Sequence, residues 1–200
     1  MNTQFQSLIL ASASKTRSQI LLNAGIVFRV QVADIDEKEV KRKFNFKHPE
    51  ELASELAYQK ADKISRSCED SLVIGADQIL ECDGVLFDKP TNKKEVVSHL
   101  KFLRGKTHRL VSAVCVIHNT EKYWEFTDSV KLTMRKLTDE FIQTYAAEAG
   151  TEIFSSVGGY RLENIGAQLF IRVEGDFFTV LGLPLLPLLE FLRSQKFLKT

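Results

Sequence analysis

The sequence predicts an α/β fold built around one mixed sheet, and three features carry that prediction. The apolar run Leu8-Ile9-Leu10-Ala11 passes directly into helix-spaced apolar residues ending near Leu22, the mark of a strand feeding a crossover helix. Two later pairs of strands are joined by tight connections, Asp83-Gly84 in C-D-G-V and the four residues His118 to Glu121, which suit antiparallel hairpins. Helical segments recur between the strands, so crossover and hairpin connections share one sheet.

In chain order, Leu8–Ala11 is a short buried strand and Ser14 caps the helix that follows. Residues 26–32 (I-V-F-R-V-Q-V) alternate like a second strand and end in A-D-I-D-E. The basic stretch 38–47, with interleaved Phe, reads as a solvated surface or lobe loop rather than a nucleic-acid contact. Pro49 and Glu50 open a helix reaching about Ser67. Ser71–Ala76 is a compact apolar strand that ends at Asp77, and Gln78–Phe87 holds the Asp83-Gly84 turn. A helix over Lys93–Leu103 stops at Gly105, and strands Thr107–His118 and Lys122–Thr133 follow. Asp139–Ala147 is helical and is halted by Gly150; Gly166–Val173 and Phe177–Leu181 read as strands, and Leu185–Gln195 as the last helix.

Two hundred residues suit one domain or one fold with two lobes. A net charge of +1 argues against a dedicated nucleic-acid binder, which carries a strong basic excess. Cys68, Cys82 and Cys115 are odd in number and lack metal spacing, so they read as reduced thiols of a cytoplasmic protein. No signal-peptide pattern opens the chain, and no apolar run approaches the ~20 residues that span a bilayer. His48, His99, His108 and His118 have no metal spacing, and the chain holds neither a G-x-x-x-x-G-K-[ST] loop nor a G-x-S-x-G elbow.

The first strand–helix junction is where phosphate chemistry is legible. Ser12 and Ser14 precede Lys15 and Arg17 in the first helical turn, where the helix dipole favours acids by about 0.3–1 kcal/mol per group. Two cations there fit a ligand that brings the negative charge, with hydroxyls, free N–H groups and Arg17 converging on a phosphate. The alternative is an ordinary Ser14 cap with solvated basic neighbours. Lys60 falls among Ala53, Leu56, Ala57 and Ile64 on one helical face, so it either snorkels to a rim or points into a wet cleft, whereas Lys63 lies at the margin and is solvated. Asp77, at the expected strand end, either starts a turn or holds a cation or takes a proton from water. Asp34, Asp36 and Glu37 form a carboxylate cluster that is either a solvated loop or part of a Mg²⁺ or Mn²⁺ site.

The serine–arginine segment, I-G-A-D-Q at 74–78, D-K-P at 88–90 and G-D-F-F-T-V-L-G-L-P-L at 175–185 together resemble the Maf family of nucleoside triphosphate pyrophosphatases, once described as septum-formation inhibitors. The similarity runs from about Leu8 to Leu192 with the motifs in order. It implies a Maf/ITPase-like two-lobed fold with an extended mixed central sheet and a cleft between lobes, over one domain of residues 1–200. It also implies that Asp77 is the catalytic base, that Glu37 and Asp77 hold Mg²⁺ or Mn²⁺, and that Ser12, Ser14, Arg17, Lys60 and Lys89 bind phosphates.

Thr16, Gln78 and Glu163, the last in the glycine-flanked segment Gly158–Gly166, fall on the family's specificity positions. Gln78 with Glu163 is similar to the 7-methyl-GTP branch, since a carboxylate suits the donor edge of guanine. Thr16 departs from that branch, which carries a large aromatic there, and Asp88 replaces the usual Gly beside Lys89. The expected activity is therefore hydrolysis of the α–β phosphoanhydride of a nucleoside triphosphate, 7-methyl-GTP-like in its base. Nucleic acid and membrane are not expected as partners, and a homodimer is left open. A house-cleaning enzyme is the main reading; a non-catalytic nucleotide-binding regulator of cell division is the rival, disfavoured by the full carboxylate set. Because Arg17 and Lys60 look locally misplaced, removing either is expected to cost the empty protein little stability.

Overall fold

The computed structural model describes residues 7–43 and 48–198. Its seven strands form one mixed sheet: β1 (Ser7–Leu10), β2 (Arg29–Val30), β3 (Ser71–Cys82), β4 (Val85–Phe87), β5 (Thr107–His118), β6 (Glu121–Met134) and β7 (Phe170–Glu174). The order is β2-β1-β3-β5-β6-β7, with β4 beside the far half of β3. β1 runs parallel to both β2 and β3, and all other pairings are antiparallel. Asp83 and Gly84 both adopt positive φ in the β3–β4 turn, as do Asn119 and Thr120 between β5 and β6, which is the turn geometry that matches strand twist.

The helices are α1 (Lys15–Asn23), α2 (Glu37–Lys43), α3 (Pro49–Ser65), α4 (Lys93–Leu103), α5 (Asp139–Glu148), α6 (Phe177–Val180) and α7 (Leu185–Ser194). Side chains alternate along β3, and the two faces meet different partners. Val73 and Ile79 face α3, packing with Leu56, Ala57 and Ala61. On the other face Leu72, Ile74 and Ala76 pack with Ile20 and Leu21 of α1 and Leu188 and Leu192 of α7. Farther along that face Leu80 and Cys82 join a separate apolar cluster with Val96 and Leu100 of α4 and Ile142 of α5. Two cores on one face, and one long helix across the other, give the two lobes. Gly75 sets how close α3 comes: a Cβ there would stand 2.0 Å from the Ala57 carbonyl oxygen. No helix among the described residues is long and apolar enough to cross a membrane.

Five local expectations are corrected. The strand carrying Asp77 does not end there but runs twelve residues, because β5 pairs with it past Asp77 as far as Glu81. The expected loop after Glu37 is helix α2 up to Lys43, with Glu37 and Glu39 in its first turn and Lys41, Arg42 and Lys43 in its last, in accord with the dipole; positions 44–47 of that expectation lie outside the described residues. Residues 26–32 supply only the two-residue β2. Phe177–Leu181 is not a strand: Asp176 accepts a hydrogen bond from the Thr179 amide at 2.7 Å and starts α6. Gly166–Val173 is not one strand: it divides into a 3-10 turn over Ile165–Leu169 and β7.

Candidate active site

The sheet has a gap beside the middle of β3. β1 pairs with β3 as far as Ile74, and β4 begins pairing at Leu80, so between them β3 is flanked only by β5. The chain leaving β1 turns across this gap into α1, whose N-terminus therefore faces it, as ligand sites do at strand carboxyl ends of α/β sheets. Ser14 caps α1 by accepting from the Arg17 amide at 3.3 Å, and Ser12 Oγ accepts from the Ser14 amide at 3.2 Å.

Arg17 fills the gap from below. Nη1 donates to the Ala76 carbonyl at 2.8 Å and to Ser12 Oγ at 3.2 Å, while Nε donates to the Gly182 carbonyl at 2.7 Å. The guanidinium is buried, and burial lowers its pKa from the ordinary value while Asp77 and Glu37 push the other way. Arg17 is thus wired into three chain segments and is not a loosely held cation. The expectation that its removal costs little stability fails on those bonds. Gly182, with φ +91°, lies against both Arg17 and Gln78, so a side chain would be strained at the point where the carbonyl meets Arg17.

On the α3 face, Lys60 and Asp77 meet across the close approach at Gly75. Lys60 Nζ donates to Asp77 Oδ1 at 2.5 Å and lies 2.7 Å from Glu37 Oε1, with the Lys60 and Asp77 side chains almost fully buried. Burial works against ionisation of Glu37, yet Lys60, followed by Lys89 and Lys41, holds its carboxyl below the usual range. Lys89 is exposed; desolvation first, then repulsion from Arg17, lowers its pKa, with Glu37 opposing. Asp88 pairs with Lys41 at 2.5 Å and thereby ties the D-K-P turn to α2.

The structure therefore joins Ser12, Ser14, Arg17, Lys60, Asp77, Glu37 and Lys89 into one neighbourhood. Asp36 takes other work, since its Oδ1 accepts from the Glu39 amide at 2.9 Å, and the backbone carbonyl of Asp34 accepts from Lys63. Among the described residues no group of three or more His, Cys, Asp or Glu stands ready as a metal cage. Glu37 and Asp77 nevertheless suit Mg²⁺, which is commonly held by one or two carboxylates with substrate phosphates and waters completing its shell.

Gln78 points to the opposite face from Asp77. Its Nε2 donates to Ser112 Oγ at 3.0 Å and approaches the carbonyls of Thr179 at 3.1 Å and Val180 at 3.0 Å. Ser112 Oγ also donates to the Thr179 carbonyl, and the Thr179 hydroxyl faces Asp128 and Asp176. This polar seam separates the two apolar cores on that face. Glu163 pairs with Arg161 at 2.9 Å, and Thr16 is half-buried in the first turn of α1. Sequence reasoning missed Lys41, Ser112, Thr179 and the Gly182 carbonyl as parts of this arrangement. Thr179 and Gly182 lie in the 175–185 motif, which could have signalled them; Lys41 and Ser112 act through pairings that chain order does not display.

The Maf-like protein family model matches residues 7–195. A protein of Nitrobacter hamburgensis named nucleoside triphosphate pyrophosphatase is 47% identical over 188 residues, 94% of this chain and 93% of that one. One of the same name from Paramagnetospirillum magneticum is 47% identical over 189 residues, covering 94% and 97% of the two chains. A Bartonella quintana protein named 7-methyl-GTP pyrophosphatase is 46% identical over 187 residues, covering 94% of each.

Proposed function

This chain belongs to the Maf-like protein family, and from that membership we propose that it is a nucleoside triphosphate pyrophosphatase that cleaves the bond between the α- and β-phosphates. The observation that carries the chemical reading is the contact of buried Asp77 and Lys60 with half-exposed Glu37, beside the Arg17-braced N-terminus of α1. Phosphoryl transfer needs positioning and neutralisation of charge more than covalent chemistry. Ser12, Ser14, Arg17, Lys60 and Lys89 supply hydroxyls and cations around the phosphates. Asp77 takes the proton of the attacking water as the water oxygen bonds to phosphorus and the bridging P–O bond breaks, releasing monophosphate and diphosphate. A divalent cation held by Glu37 and Asp77 would withdraw charge from the phosphate oxygens.

The base is proposed to be guanine-like, including N7-methylated guanine. Gln78 and Glu163 support this through the resemblance, as does the relative named for 7-methyl-GTP. The amide hydrogens of Gln78 already face Ser112 and α6, so toward a base it offers chiefly its carbonyl oxygen, an acceptor suited to the guanine donor edge. Turnover of a panel of triphosphates with Mg²⁺, with products separated, tests the whole reading. Diphosphate and monophosphate in equal amounts are expected, with guanine-type substrates leading in kcat/KM. Orthophosphate as the product would overturn the bond assignment, and UTP or dTTP as the best substrate would overturn the base assignment.

A further inference from the structure

The oxygens that suit a divalent cation are already taken by a cation of the chain itself. Lys60 Nζ sits 2.5 Å from Asp77 Oδ1 and 2.7 Å from Glu37 Oε1. We propose that Lys60 is the resident cation of this carboxylate pair, and that metal enters by exchange, when the phosphates of a nucleotide draw the ammonium away. The inference rests on the pyrophosphatase reading and adds the order of events to it.

Three observations support the exchange. The Lys60 side chain is only 11% exposed, so an ammonium leaving the carboxylates needs another anion, and a phosphate in this cleft is one. Arg17, Lys60 and Lys89 act together on Glu37 and Asp77. A free divalent ion therefore meets cations that outnumber the carboxylates, whereas the negative charge of a triphosphate reverses that balance. Among the described residues no third carboxylate, His or Cys joins the pair to outbid the ammonium. The backbone need not move: Gly75 fixes α3 against β3, and four rotatable carbons carry the ammonium from one anion to the other.

The exchange is tested with Mn²⁺ alone, without nucleotide, followed by its electron paramagnetic resonance signal. Lys60→Met removes the ammonium and keeps the stem; Lys60→Gln keeps hydrogen-bond donors for both carboxylates, so it serves if the first fails to fold. Thermal unfolding establishes that each variant is native. The expected result is that a folded variant binds free Mn²⁺ at least ~tenfold more tightly than wild type, because competition for the pair is gone. Wild type that holds free Mn²⁺ as tightly as the folded variants would overturn the exchange. A wild-type protein that cleaves no triphosphate would refute the pyrophosphatase reading instead, and the Mn²⁺ comparison does not depend on it.

Discussion

Arg17 braces three chain segments with one side chain. The sequence alone reads it as a cation awaiting phosphate at the wrong end of a helix dipole. In the structure its Nε and Nη1 satisfy the Gly182 and Ala76 carbonyls in a buried place, in the gap that β1 and β4 leave beside β3. Arg17→Ala strands both acceptors, and leaving buried groups unpaired costs about 1–3 kcal/mol each. We therefore expect Arg17→Ala to lower stability by roughly 2–4 kcal/mol in urea unfolding, as well as weakening nucleotide binding. A variant as stable as wild type would show that these bonds contribute nothing and that the dipole penalty governs instead. Lys60 differs in kind, since its partners are both carboxylates and its removal leaves like charges facing each other.

At the scale of elements, the positions that sequence patterns reached were those with strong local signals. The Ser14 cap, Pro49 at a helix start, the Asp83-Gly84 turn and the α4 helix stopping before Gly105 all lie where chain-local physics decides. What escaped was decided by neighbours. Asp77 looked like a strand terminus because the apolar run stops, yet β5 carries the ladder onward. Phe177–Leu181 has strand-forming residues, but the Asp176 cap and the seam at Ser112 and Gln78 hold it as α6. The Glu37 helix is too short and too charged to show periodicity, and Val40 is its one buried residue. Likewise the site's residue types were readable from motif resemblance, whereas the Lys60–Asp77–Glu37 contact depends on how closely α3 lies on β3. Gly75 governs that distance, so Gly75→Ala should force α3 away from the sheet and cost at least ~3 kcal/mol, since backbone and not a flexible side chain stands in the way. The same change should raise KM and lower kcat together by separating Lys60 from Asp77. Unchanged stability and kinetics would mean that the α3–β3 approach does not set the site.

For the molecule as a whole, the sheet supports two apolar cores on one face with a polar seam between them, and a single long helix on the other. The middle of β3 presents a carboxylate to α3 on one face and an amide to α6 on the other, at Asp77 and Gln78. A nucleotide lying across this stretch would meet the phosphate-side cations with one end and the seam with the other. In the proposed reaction Asp77 performs the proton transfer, and does more than help a nucleotide rest there. The most direct test is Asp77→Asn, which keeps shape while removing charge and basicity. Diphosphate release at saturating substrate should fall by ~10²–10⁴-fold, while calorimetry with a non-hydrolysable triphosphate shows binding retained. Near-normal release by the folded variant would contradict the claim and move the base to another residue.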